Sequence, residues 1–534
     1  MKGLPIASVY LVCAVLAGFP GQGGNAGDLF EAAPAVIVGG GEKTASDRID
    51  ELVLGQLESL GLEPANLCSD EVFLRRAYLV TIGTLPREDE VRDFLATDDE
   101  VKRQVLIEHL LGRPEFADYW SMKWGDLLRV KAEFPIKLWP NAVQAYHHWI
   151  YDSIRSNKPY HEFARELLVC NGSNFRRGQV NFYRAMQDRS PQGIASTVAL
   201  TLMGERTKHW PDRKLDAMAG FFAHVAYKST AEWKEEIVYF DPQRDEDGLH
   251  EGAIFPDGRR VDLDPTQRDP RAVFADWLVH PENPAFSRNI VNRVWAWLMG
   301  RGIIHEPDDC GPHNPPANPE LLAFLQQQFV NSRCDLQELY RIILNSQTFQ
   351  LSSIPREQSE EAAAHFAHYP LRRMEAEVLI DALNQITSTT EDYSSPIPEP
   401  FTFIPEDVRS IAVADGSITS SFLELFGRPP RDTGLESERS RNVTAAQRLH
   451  LLNSSHIQKK IAASPLVLWG SGTCLEEQPE LIDRIYLTVL SRFPTDDERL
   501  VVREYHETTG ADPERLASDL LWGLINQPEF CFVH

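Results

Sequence analysis

The stretch Asp335-Leu336-Gln337-Glu338-Leu339-Tyr340-Arg341-Ile342-Ile343 decides how this chain is read. An aspartate opens it and a glutamate follows three residues later, the arrangement that caps a helix N-terminus. Leu336, Leu339, Tyr340 and Ile343 then recur at three- and four-residue spacing, which places them on one face of a helix. The same grammar extends outward in both directions. Asn318-Pro319-Glu320-Leu321 sets a cap, a proline at the first helical position and an acid in the first turn. Ser46 is a candidate cap for a helix carrying Ile49, Leu52, Val53, Leu57 and Leu60 on one stripe. The run over 101–111 stops at Gly112 with Pro114 close behind, and Asp512-Pro513-Glu514 repeats the start signal near the C-terminus.

Sustained alternation of apolar and polar residues is scarce, so the expectation is a mainly α, multi-helix, two-domain protein with an irregular connector and little sheet. The expected divisions are a signal peptide over 1–26, a flexible Gly- and Ala-rich leader over 27–45, and a helical domain over 46–228. A connector rich in Asp, Gly and Pro over 229–268 and a second helical domain over 269–534 follow. Within the leader, the run ending Gly39-Gly40-Gly41 imitates a dinucleotide-binding turn. Thr44 stands where the third glycine belongs and no parallel-sheet pattern follows, so a linker is the expectation.

The chain also resembles itself. Arg76-Ala77-Tyr78-Leu79, followed by Pro86 and Glu90, returns as Arg484-Ile485-Tyr486-Leu487, followed by Pro494 and Glu498, at an offset of 408 residues (484 against 76). Arg113-Pro114-Glu115-Phe116 is echoed by Gln527-Pro528-Glu529-Phe530. Two copies are too few for a solenoid, and they read as two short helical units of one design bracketing the protein.

Composition bounds the partners. The 534 residues are 43% hydrophobic and 25% charged, an ordinary globular balance, with a net charge of −25. So acidic a surface repels phosphate backbones, and no basic patch offsets it, which disfavours nucleic acid. Lys2, an apolar run over 6–16 and the small residues Gly24-Asn25-Ala26 read as a cleavable export signal. No later run reaches the roughly 18 apolar residues of a membrane span, so the mature chain is expected to lack one. Export to the periplasm, the cell surface or the extracellular space is therefore expected. Beyond Cys13, six cysteines remain (Cys68, Cys170, Cys310, Cys334, Cys474 and Cys531), none in a C-x-x-C pair, so no zinc or iron–sulfur site is written in thiols.

Several stretches carry a resemblance to a family: Phe73-Leu74-Arg75-Arg76-Ala77-Tyr78-Leu79, Trp124-Gly125-Asp126-Leu127, Asn157-Lys158-Pro159-Tyr160, Val291-Asn292-Arg293-Val294-Trp295, Asp308-Asp309, Asn314-Pro315-Pro316, Phe426-Gly427-Arg428-Pro429 and Leu449-His450-Leu451-Leu452-Asn453-Ser454. Together they resemble the secreted planctomycete-type proteins built from two adjacent domains of unknown function, the first called cytochrome-like and the second planctomycete-specific. The resemblance implies a bacterial exported protein without a settled activity. The chain departs from that pattern at two places. Where relatives of the first domain commonly carry C-x-x-C-H, this chain has Gly204-Glu205-Arg206-Thr207-Lys208-His209-Trp210-Pro211. Covalent haem needs two thiols and an axial histidine, so no covalent haem and no other cofactor is expected. Where the second domain often shows C-x-C-E-R, Leu435-Glu436-Ser437-Glu438-Arg439 stands without sulfur.

The most polar loop is Asp308-Asp309-Cys310-Gly311-Pro312-His313-Asn314. Asp308, Asp309 and His313 are candidate ligands for zinc or manganese, since carboxylate and imidazole suit either ion. The competing view makes them turn and cap residues of a proline-rich loop, with Cys310 paired or simply buried. His148 and Asp152 stand at i,i+4 spacing and read as a surface pair, and Asp241, Asp245, Glu246, Asp247 and Gly248 as a solvated acidic turn without EF-hand spacing. Val291, Trp295 and Leu298 read as core, with Arg293 satisfying buried acceptors. No catalytic motif occurs, and catalytic residues are unassigned. The expected function is an exported envelope component that binds an extracellular polysaccharide or another envelope protein. The alternatives are an enzyme acting on extracellular polysaccharide and a haem-less relative of a redox protein.

Overall fold

A computed structural model describes residues 27–37, 43–244, 249–404, 406–470 and 478–534. Helices dominate, and the strands form three small antiparallel sheets among the described residues. The export signal, the triple glycine, most of the acidic turn at 245–248 and Cys474 lie outside the described residues. No helix among those described is long and apolar enough to cross a membrane.

The helix starts follow their caps. Asn318 accepts from Leu321 N, Asp335 from Glu338 N and Asp512 from Arg515 N, each at the position the sequence indicates. One cap differs. The Ala45–Leu60 helix is capped by Thr44, which forms a reciprocal box with Asp47, while Ser46 donates its hydroxyl to Ile342 O. The stripe of Ile49, Leu52, Val53 and Leu57 is buried as expected, whereas Leu60 is exposed. Trp295, Leu298 and Val291 are fully buried, and the apolar residues of both helical stretches join into one continuous core. The ridges of the Pro284–Met299 and Pro319–Asn331 helices meet within it.

Two irregular stretches hold more structure than their composition indicates. In the expected leader, Gly27–Phe30 is a helical turn, Glu31–Pro34 pairs with Asn66–Cys68, and the backbone of Val36 exchanges hydrogen bonds with the amide of Gln347. In the expected connector, Glu236–Phe240 is the central strand of a three-stranded sheet, between Val225–Ser229 and Gly172–Ser173. Tertiary partners supply the backbone hydrogen bonds that local sequence could not promise.

The two repeated units bracket the sequence but touch in space. Arg75, fully buried on the Asp70–Thr81 helix, donates to Val489 O, Ser491 Oγ and Phe530 O of the second unit. Arg484 on the Gln478–Leu490 helix pairs with Glu88 of the first unit at 3.0 Å. The final strand, Phe532–Val533, pairs with Arg372–Arg373 and ties the C-terminus into the middle of the chain.

Candidate functional site

The Pro191–Val198 helix, capped by Ser190, loosens into a π-helical turn at Ala199–Met203. The widened turn leaves Thr201 O to accept from the buried amide of Asn289 at 2.9 Å; such turns recur at functional sites. Gly204 ends it at φ +66°, and a Cβ there would lie 2.7 Å from Asn289 Oδ1, so both backbone sign and space call for glycine. Gly204 O then accepts from Cys310 N at 2.7 Å, which fastens the 305–314 loop to this segment. A short 3-10 turn, Thr207–His209, carries His209 outward, and Glu205 behind it is held by Trp210 Nε1, Arg288 and Lys214.

In the facing loop, Asp309 N donates to Glu306 O, and Asn314 Nδ2 donates to Asp309 O at 2.9 Å. This brace brings Asp309 Oδ2 to 3.1 Å from His313 Nε2 and 3.8 Å from His209 Nε2. The two imidazoles lie side by side with centroids 4.7 Å apart and planes tilted by 56°, and one donor atom from each of the three residues lies within 4.8 Å of the others. Asp309 Oδ1 is buried without a hydrogen-bond partner.

Of the three residues indicated as ligands in the sequence, the structure brings two together and turns the third away. Asp308 is fully buried, paired with Arg293 at 2.8 Å and accepting Glu436 N at 2.7 Å. His209 takes its place beside Asp309 and His313. Sequence reasoning missed it because it stands 100 residues before Asp309, with no spacing to link them. Cys310 is buried and unpaired, its thiol pushed up to about 11 by burial, as are the other four described cysteines unpaired. His148 and Asp152 form the exposed surface pair expected of them, at 3.1 Å.

A second convergence gathers the motifs that carry the family resemblance. Asp126 of Trp124-Gly125-Asp126 accepts Arg431 Nε at 2.8 Å and Arg439 Nη2 at 2.6 Å. Arg439 also forks onto Glu377, and Lys123 pairs with Glu375. A Cβ at Gly125 would sit 3.2 Å from Arg431 Cζ, so the guanidinium lies against bare backbone. The sulfur-free segment 435–439 is thus clamped through Asp308 at one end and Asp126 with Glu377 at the other. Buried charges of this kind are costly unless paired, and each one here faces an opposite charge.

Two features were invisible in the sequence. His450 and His456 form a chain with the buried carboxylate of Glu391, at 3.3 and 3.0 Å. On the surface, Trp233, Phe401 and the half-buried Trp139 make a mutually packed shelf, with centroids 4.7 to 5.7 Å apart. They come from a hairpin tip, a loop and a helix start, and Trp233 is 59% and Phe401 47% exposed. Lys234 Nζ lies over both indoles, at 5.6 and 5.5 Å. Trp139, Lys137 and Lys234 all hold positive φ, an uncommon conformation for residues with a side chain.

Comparison with known proteins agrees with the motif convergence. Residues 48–214 match the family model PSCyt2, a protein of unknown function (DUF1549), and residues 270–506 match PSD1, a protein of unknown function (DUF1553). No curated protein and no solved structure matches the chain. His209 falls in the first match and Asp309 and His313 in the second, as do Asp126 and its two arginines respectively. The chain therefore belongs to the planctomycete-type proteins that carry these two domains of unknown function in tandem, in that order.

Proposed function

We propose that the protein is an exported envelope or cell-surface component that binds rather than transforms its partner, and that the aromatic shelf of Trp139, Trp233 and Phe401 is its contact face. The export part rests on Lys2, the apolar run over 6–16 and the small residues before position 27. The binding part rests on one observation: two exposed rings from separate segments, Trp233 and Phe401, pack on each other and on the outer side of Trp139, which itself rests against the core. Trp233 and Phe401 leave apolar area in water, and Trp139 beneath them holds a positive φ that residues with a side chain rarely adopt. Indole faces carry partial negative charge and take the polarised C–H faces of a sugar ring, while the edges of the rings suit protein contact. With the acidic surface, this favours a neutral or cationic extracellular polysaccharide, or another envelope protein, over an anionic one.

The test is co-sedimentation of the mature chain with insoluble polysaccharides and cell-envelope fractions. Retention that falls about tenfold in Trp233→Ala and Phe401→Ala, both exposed and dispensable for the core, supports the reading; each large interfacial aromatic typically contributes about 1–2 kcal/mol or more. Retention indifferent to both substitutions removes the shelf from the function. Release of soluble sugars during the assay would replace binding by catalysis, and recovery of the protein from the cytoplasm of its host would end the export reading.

A further inference from the structure

The geometry points to a divalent-cation site formed by His209, Asp309 and His313, with zinc the best-suited ion, clasping the two family-matched regions together. We infer this from the ligand set and its spacing, and it uses none of the residues of the aromatic shelf.

Two imidazole nitrogens and one carboxylate oxygen are the donors that borderline first-row cations select. Around a tetrahedral ion with bonds of about 2.0–2.1 Å, neighbouring donors lie about 3.3 Å apart. The carboxylate oxygen lies 3.1 Å from one imidazole nitrogen and 3.8 Å from the other, and the three donors lie within 4.8 Å of one another, so rotations that draw the two exposed imidazoles together bring all three to one centre. Either pair could arise as a simple ion pair, and His148 with Asp152 shows what that looks like: exposed, two-membered and unbraced. The 209–309–313 group differs in three ways. It has a third donor from a distant segment, and that segment is fixed to the loop by the Gly204–Cys310 backbone bond. Its carboxylate is largely buried, 15% exposed, and Asp309 Oδ1 has no hydrogen-bond partner to account for its burial. Finally, the His313 ring folds back over Gly311, where a Cβ would come within 2.7 Å of Cε1, so the loop is built to keep that imidazole beside Asp309.

Three protein donors leave a tetrahedral ion one position open. His209 and His313 are 44% and 49% exposed, so this position faces solvent. The acidic chain draws cations to its surface.

The mature chain, stripped with chelator and dialysed, is titrated calorimetrically with Zn2+ and separately with Mn2+, and its thermal midpoint is followed in parallel. One saturable Zn2+ site per chain is expected, with a rise in midpoint as the ion binds the folded state. His209→Ala and His313→Ala each weaken binding by about tenfold or more and remove the midpoint rise, since even supporting residues of metal sites cost about 10–100-fold. Both histidines are exposed, so the metal-free variants keep the parent's midpoint, and His148→Ala leaves binding unchanged. Absence of a saturable site for either cation overturns the inference. So does wild-type affinity in His209→Ala, or binding that survives both histidine substitutions and disappears on alkylating the cysteines.

Discussion

The two repeated units solve one packing problem with the same three partners and a different route for the fourth. In the first, Arg113 bonds Glu90 at 2.7 Å and Glu115 at 2.6 Å, and its guanidinium lies 5.6 Å from the centre of the Tyr78 ring. In the second, Arg492 bonds Glu498 at 2.7 Å and Glu529 at 2.6 Å, 5.5 Å from the ring of Tyr486. Tyr78 and Tyr486, Glu90 and Glu498, and Glu115 and Glu529 correspond in the two repeats. The arginines do not: Arg113 aligns with Gln527, and Arg492 aligns with Thr84. What the design requires is a cation at one point in space between helix ends, and two chain positions can reach that point because an arginine side chain is long and its fork accepts two carboxylates. Glu90 and Glu498 share a further task, each accepting the backbone N–H at the start of its helix. Only Thr495 completes the reciprocal cap with its hydroxyl, since Arg87 has no acceptor to offer.

The sharpest way to break this comparison is to remove each cation. The Arg492 side chain is 4% exposed and that of Arg113 17%, so Arg492→Ala, which removes the more buried cation and leaves two partly buried carboxylates unpaired, should cost about 2–4 kcal/mol, and Arg113→Ala about 1–3 kcal/mol. Urea unfolding measures both. The interchange Arg492→Thr with Gln527→Arg should recover part of the loss of Arg492→Thr; no recovery would show that position, and not charge, is what the second unit needs.

A smaller effect is expected with pH. Hydrogen bonding to Arg113 holds Glu115 below the usual carboxylate range, while at Glu529 burial pushes up and Arg492 more than offsets it. Both folded-state values are depressed, so each contributes stability that is present above about pH 4.5 and lost as pH falls below it. In Arg492→Met the largely buried Glu529 keeps its desolvation cost with only the weaker pull of His534 and Arg75 against it, so the slope of stability against pH over that window should vanish or reverse in sign for this group. In Arg113→Met it should only flatten, because Glu115 is nearer solvent. Unfolding midpoints from pH 6 to pH 3 distinguish the two.

The smallest difference lies in the tyrosines. The Tyr78 hydroxyl interacts with Glu90, whereas the Tyr486 hydroxyl is buried without a hydrogen-bond partner. Tyr78→Phe should therefore cost about 1 kcal/mol and Tyr486→Phe close to nothing, or stabilise slightly. Equal losses in thermal midpoint would mean that the two hydroxyls are equivalent after all.

Much of the helical frame was legible, and its errors are instructive. Asn318, Asp335 and Asp512 cap where their spacing indicates, because a cap is a contact among four consecutive residues. Ser46 was misread although the signal is local: Asp47 stands three residues after Thr44, the spacing of a reciprocal cap, whereas Ile49 stands three after Ser46, whose hydroxyl turns to Ile342 O. The strands at 31–34 and 236–240 carry no alternation long enough to see, and the partners that define them lie 32 or more residues away (66 against 34) or beyond a turn. At the candidate metal site the sequence indicated the loop and two of its donors. Asp308 and Asp309 are chemically identical neighbours, and nothing local shows that the first is claimed by Arg293 while the second faces His313 and His209.

By itself, the sequence determined where the helices start and stop, which faces are apolar, and that two units share a pattern, because these depend on residues within about one helical turn of each other. The tertiary structure decided which charges meet: Asp126 with Arg431 and Arg439, Arg75 with the carbonyls of the second unit, and His209 with Asp309 and His313. Ion pairs and ligand sets act over a few ångströms in space, and chain separation places no constraint on which side chains fall within that distance once the core has packed.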